Sequence, residues 1–173
     1  MDSDQIRSEL ERLHAPAFGW AMVCCRRDRD LAIETLQQTY CRILSRKTTF
    51  RGQSEFSTWL FGVIKMIALE QSRVRQSRPL ACKRTEPLVD TSSRGSIQAT
   101  MEQEELADEL NAALEKLSNR QREVLHLTFY QELTIEQAAK CMGISVGSAR
   151  QHYQRGKIRL KKMLAHSWEL HNE

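Results

Sequence analysis

Proline is the scarcest punctuation in this 173-residue chain, with residues only at 16, 79 and 87. Seven glycines add little more. So few breakers exclude a collagen-like or low-complexity chain and predict long helices. Strand signals are missing as well: there is no Asn-Gly hairpin turn and no alternating β-branched run. No apolar run approaches the roughly 20 residues that a membrane-crossing helix needs. Met1 to Arg12 alternates charges without an apolar signal core, which predicts a cytoplasmic protein. The five cysteines (24, 25, 41, 82 and 141) are odd in number and form no Cys-x-x-Cys. Their vicinal pair makes a poor metal clamp, so they read as buried, inert thiols. The five histidines lack a His-Glu-x-x-His spacing, and there is no Gly-rich phosphate loop, paired carboxylate cleft or Ser-His-Asp order. No catalysis, metal, cofactor or small-molecule substrate is therefore expected.

What the chain does have is unevenly placed charge. The net charge is only +4, but residues 41–84 carry +8 and residues 118–166 carry +6, with −5 between them over 101–117. Two basic blocks on either side of an acidic one suit a polyanion touched at two places.

Helical periodicity accompanies both blocks. Leu31, Ile33, Leu36, Tyr40, Ile43 and Leu44 recur at spacings of three and four, with Asp28 and Asp30 at the positive end of that helix. After a polar stretch, Phe56, Trp59, Leu60, Val63, Ile64 and Ile67 mark a second helix to about Val74, with the basic tail Arg73, Arg75 and Arg78. Residues 77–100 hold two prolines, Gly95 and a Thr-Ser-Ser run without apolar period, and read as a flexible linker. Helix resumes from Met101. Ser118 with Gln121 and Thr134 with Gln137 fit capping boxes. Gly143 suits a left-handed helix end, and Ser145 caps a last helix from Val146 to about Leu164. The expectation is an all-α protein of two small helical domains, residues 1–76 and 101–173, joined by that linker.

Residues 134–157 carry the sharpest signal. A short helix, Gly143-Ile144-Ser145 and a second helix form the pattern of a helix-turn-helix, whose second helix enters the DNA major groove. Val146, Ala149 and Tyr153 share the inward face. Arg150, Gln151, Gln154 and Arg155 fall outward, with Ser148 and His152 at the margins. Arginine pairs with guanine edges and glutamine with adenine. Lys157, Arg159, Lys161 and Lys162 suit phosphates.

The segments Leu117 to Leu125, Leu133 to Ala139 and Gly143 to Arg150 closely resemble region four of bacterial sigma factors. Phe50-Arg51-Gly52-Gln53-Ser54-Glu55-Phe56-Ser57-Thr58-Trp59-Leu60 is similar to the segment that opens the promoter-melting helices of region two. Glu34 to Tyr40 is similar to that region's polymerase-gripping helix. Both halves in this order, over about residues 15–78 and 101–166, resemble the extracytoplasmic-function subfamily of the sigma-70 family.

The resemblance implies a non-enzymatic subunit that binds core RNA polymerase and directs promoter-specific initiation. Asp28, Asp30, Glu34, Gln37, Gln38 and Arg42 would meet the β′ clamp helices, and the second half the β flap. Arg51, Gln53, Ser54, Trp59, Lys65, Met66, Arg73 and Arg75 would melt and hold the minus-ten element. Ser148, Arg150, Gln151, His152, Gln154 and Arg155 would read the minus-thirty-five element. It also implies an anti-sigma partner, often membrane-bound. Two departures stand out: Met66 occupies a position where the family commonly has a base-reading Asn, and Gln37-Gln38 stands where Gln-Glu is common. The alternative is a helix-turn-helix regulator acting without polymerase.

Overall fold

A computed structural model describes residues 1–77 and 110–171. The predicted linker from residue 78 to 100, and the start of the helix expected from Met101, lie outside the described residues. Within them the chain is helical: α1 (Ser3–Arg12), α2 (His14–Cys24), α3 (Arg29–Leu44), α4 (Phe56–Ser77), α5 (described over 110–115), α6 (Asn119–Phe129), α7 (Ile135–Met142) and α8 (Val146–His171). No strand occurs among the described residues.

The helix starts follow local chemistry. Asp28 caps α3 by accepting from the Leu31 amide at 2.9 Å. Ser118 with Gln121 and Thr134 with Gln137 form the two reciprocal capping boxes. A third, Asp2 with Gln5, opens α1. Helices α1 and α2 were not expected from periodicity. Helix α2 is apolar around nearly its whole circumference, so no stripe stands out, and Pro16 falls in its first turn, where a missing amide costs nothing. Helix α8 runs about two turns beyond the predicted end.

Helices α2, α3 and α4 pack on one another, and α6, α7 and α8 do the same. The two groups then meet: α2 lies on α6 and α4 on α7. Trp20, Leu60, Phe61 and Ile64 of the first group and Val124, Leu127, Ala138 and Met142 of the second form one continuous apolar cluster. Burying each large side chain contributes about 1.5–3 kcal/mol. Trp20 is fully enclosed and donates its Nε1 hydrogen to the Phe61 carbonyl at 2.9 Å.

At the seam, the Trp20 ring stacks on His126 with centroids 5.8 Å apart. The Gln131 amide nitrogen lies 3.2 Å from His126 Nε2 and 3.4 Å from the Pro16 carbonyl. An amide NH2 only donates, so His126 Nε2 accepts and the imidazole is neutral. Burial agrees, holding the imidazole down at about 4.

A folded value below the ordinary 6.5 means the unfolded chain binds the proton first. Stability should therefore be full above pH 6.5 and fall by about 3 kcal/mol as pH drops to about 4. Urea unfolding across that window measures it, and His126→Gln should flatten the slope.

Candidate nucleic-acid interface

Two exposed surfaces collect most of the predicted residues. The first is the helix-turn-helix. Gly143 ends α7 in the left-handed region at φ 62°. Ser145 then accepts from the Ser148 amide at 3.2 Å, starting α8. Ala138, Ala139 and Ala149 are at most 1% exposed, so the two helices approach closely where only methyl groups intervene. Gly156 allows a second close approach, of α8 to α6: a Cβ there would lie 3.1 Å from Leu125 Cδ1 and 3.2 Å from Gln121 Cβ. Periodicity gave no sign of this glycine's role, because its packing partners belong to α6.

Arg150, Gln151, Gln154 and Arg155 are exposed on α8 as predicted, and Ser148 and His152 are half-buried at the margin. Arg150 is drawn toward α7 by Glu136, at 3.0 Å. Tyr153 packs against the core and stacks on Phe129 at 6.1 Å. Val146 departs from the expectation: predicted to face inward, it is 36% exposed at the first position of α8, where no preceding helical turn covers it.

The second surface surrounds the start of α4. Phe50, Phe56 and Trp59 form a triangle of rings with centroids 5.2–5.3 Å apart. Trp59 is half-buried in it, so packing accounts for most of its surface. The loop before it turns at Gly52, φ 71°, and leaves Arg51 and Gln53 exposed and Ser54 half-buried. Beside it Arg42, Lys47, Thr48, Thr49, Arg51 and Met66 line a shallow basin of about 720 Å³. Three cations, two hydroxyls and one soft apolar side chain suit a phosphate-linked, unpaired base. Arg42, assigned from sequence to the polymerase face, stands at this basin's wall and pairs with Glu70 at 2.7 Å.

The remaining predicted residues divide. Asp28, Asp30, Glu34 and Gln37 are exposed along α3, and Gln38, half-buried beside them, accepts from Gln71 at 3.1 Å. Arg73 is exposed near Lys140. Arg75 lies against the α3 face, 3.1 Å from Asp28 and 3.7 Å from Glu34, where two carboxylates attract it. Lys65 does not face solvent: it is 6% exposed and pairs with Glu123 of α6 at 2.6 Å. The helical period puts Lys65 on the flank of α4, but what covers that flank comes from the other end of the sequence.

No cluster of three metal-ligating side chains occurs among the described residues. Burial pushes the thiols of Cys24 and Cys141 up, the latter to about 12, which leaves them protonated and unreactive where they lie. No described helix is long and apolar enough to cross a membrane.

Residues 113–162 match the family described as sigma-70, region 4. Over 142 residues the chain is 28% identical to the ECF RNA polymerase sigma factor SigX of Bacillus subtilis, covering 79% of this chain and 72% of that one. It is also 28% identical over 162 residues to the ECF RNA polymerase sigma factor EcfG of Rhodopseudomonas palustris, covering 94% and 86%. Among solved structures, the sigma factor RpoE in complex with the anti-sigma factor NepR from Bartonella quintana aligns with a TM-score of 0.67 at 21% identity, over 93% of this chain and 97% of that one. CnrH in complex with the cytosolic domain of CnrY aligns at 0.62 and 19% identity, over 95% and 90%. These last two share the fold.

The turn itself is open to test. Nothing lies within 4 Å of a Cβ at Gly143, so Gly143→Ala meets only left-handed backbone strain. It should cost about 1–2 kcal/mol in urea unfolding, and Gly143→Asn less.

Proposed function

We propose that the chain is a member of the extracytoplasmic-function subfamily of sigma-70 factors and that its surfaces divide the work of promoter-specific initiation as follows. The chain acts in the cytoplasm, with no catalysis of its own. Residues 1–76 serve as the region-two domain and 101–173 as the region-four domain, with 77–100 tethering them.

The exposed polar face of α3, with Asp28, Asp30, Glu34 and Gln37, docks on the β′ clamp helices of core polymerase. Few apolar groups lie on it, so the contact is polar, reversible and salt-sensitive. The basin flanked by Arg42, Lys47, Arg51 and Met66 receives an unpaired base of the minus-ten element, with Gln53 and Ser54 at its rim. Cations there hold the strand's phosphates, and the base takes the place of water over Met66. A methionine offers no hydrogen-bond donor, so base preference at that position rests on shape and on the loop's polar groups. Arg73 extends the backbone track. Lys65 joins it only when freed from Glu123, and Arg75 only when freed from Asp28.

Helix α8 enters the major groove at the minus-thirty-five element. Arg150, Gln151, Gln154 and Arg155 meet base edges, while Lys157, Arg159, Lys161 and Lys162 meet phosphates. The single observation that carries the reading is the joint presence, in one chain, of the basic basin and the exposed recognition helix. A regulator acting on duplex DNA alone has no use for the former.

Reconstituted transcription tests the assignment. Core polymerase with this chain should initiate at a cognate promoter that core enzyme alone ignores; no initiation across a genomic promoter library would refute it. In the same assay Arg150→Ala should cost about 1–3 kcal/mol of promoter use and relax preference at one base of the upstream element. Lys161→Ala should weaken all promoters evenly and lower the salt slope by about one. Met66→Asn should change preference at one minus-ten base while leaving core affinity within twofold.

A further inference from the structure

Arg150 differs from the other cations of α8. Its Nη2 donates to Glu136 Oε1 at 3.0 Å, whereas Arg155, Lys157, Arg159, Lys161 and Lys162 have no ion-pair partner among the described residues. Arg150 is also the α8 cation nearest the start of the helix, and the first residues of a recognition helix are those that reach base edges. The restrained cation is therefore the one best placed to read a base.

Its partner comes from the neighbouring helix. Glu136 stands in the first turn of α7, which Thr134 caps. Its own backbone amide, the Arg150 guanidinium and the Thr134 hydroxyl hold the carboxyl below the ordinary carboxylate value, so it stays charged. The methyl-lined approach of α7 to α8 at Ala138, Ala139 and Ala149 brings that carboxylate within reach of Arg150. The two side chains are 67% and 53% exposed, and a pair so exposed adds little to stability. What it does fix is where the guanidinium stands.

A guanidinium has five N–H donors. Glu136 takes one, and a parallel pair remains for O6 and N7 of guanine. The carboxylate also offsets the charge of Arg150, so a phosphate meets a neutralised pair and is attracted less. Guanine's acceptors carry no net charge and suffer no such loss. A loose arginine meets any phosphate it can reach, and phosphate contacts carry no sequence information.

We propose that Glu136 is a specificity-determining positioning residue: it holds the Arg150 guanidinium toward the base edges and away from the phosphates, so that α8 discriminates at one base of the upstream element. This rests on the transcription-initiation reading above. Glu136 need touch no base, because it acts through Arg150.

The full-length chain bound to core polymerase, on a cognate promoter with a randomised upstream element, tests it. The position that Arg150→Ala relaxes identifies the base that Arg150 reads. There Glu136→Ala should lower the preference at least about fivefold and leave the other positions as in wild type. The salt slope of promoter binding should steepen by about 0.9, as the freed arginine meets one more phosphate. Glu136→Gln keeps a neutral acceptor at the same reach, so its preference should fall between wild type and Glu136→Ala. Added to Arg150→Ala, Glu136→Ala should change the profile no further.

Wild-type preference at that base in Glu136→Ala would overturn the proposal, whatever the slope. So would an even loss across all positions, which marks a helix-turn-helix merely loosened, or a Gln variant no better than Ala. A further change on adding Glu136→Ala to Arg150→Ala would also overturn it, because the carboxylate would then act without the arginine. Each of these results leaves the transcription reading standing, since the wild-type chain still initiates. If Arg150→Ala itself leaves the profile unchanged, that reading's assignment of Arg150 fails and this inference fails with it.

Discussion

An ammonium and a carboxylate can leave water together only while each is the other's partner. The Lys65–Glu123 pair imposes that condition across the middle of the chain. Around it lie Trp20, Phe61, Val124, Leu127 and Met142, drawn from residues more than a hundred positions apart. Apolar burial supplies the attraction between the halves. The ion pair supplies the register, since sliding α6 along α4 would strand two charges in an apolar setting. Arg120, 3.6 Å from the second Glu123 oxygen, belongs to the same arrangement and ties the seam to the start of α6.

The surfaces that remain outside this seam are chemically distinct. The α3 face carries carboxylates and amides, the basin beside α4 carries cations around a methionine, and α8 carries arginines, lysines and glutamines. Separating acidic from basic surface within one small protein lets a protein partner and a nucleic acid be met without competing for the same side chains. Arg75, held by Asp28 and Glu34, and Arg42, held by Glu70, stand where these surfaces adjoin.

How much of this was legible in the sequence depended on range. Capping at Ser118 and Thr134 involves partners three residues away, so spacing alone identifies it, whereas Asp28 reads only as a carboxylate at the helix start and its bond to the Leu31 amide needs the structure. The left-handed Gly143 and the exposure of Arg150, Gln151, Gln154 and Arg155 follow from the same local logic. Helix α2 was illegible because a segment apolar on every side has no period. The burial of Lys65 is not legible, because it depends on Glu123, which spacing along α4 cannot reveal. Val146 shares the face of Ala149 and Tyr153, but as the first residue of α8 it stands at the helix end and is exposed. The basin at Met66 needed three dimensions, since Arg42, Thr48 and Met66 come together only after α3 and α4 pack.

Gly156 has a consequence for how binding preference can drift. It sits midway along a helix of 26 residues, with Leu125 and Gln121 pressed where a side chain would begin. That close approach acts as a keyway, setting the angle at which the rod is turned about its own axis. In the proposed reading, substitutions among neighbours on the solvent side alter the letters presented to the groove one at a time. A bulkier residue at the keyway would rotate every letter together, so the outward positions are free to diversify and this inward one is not.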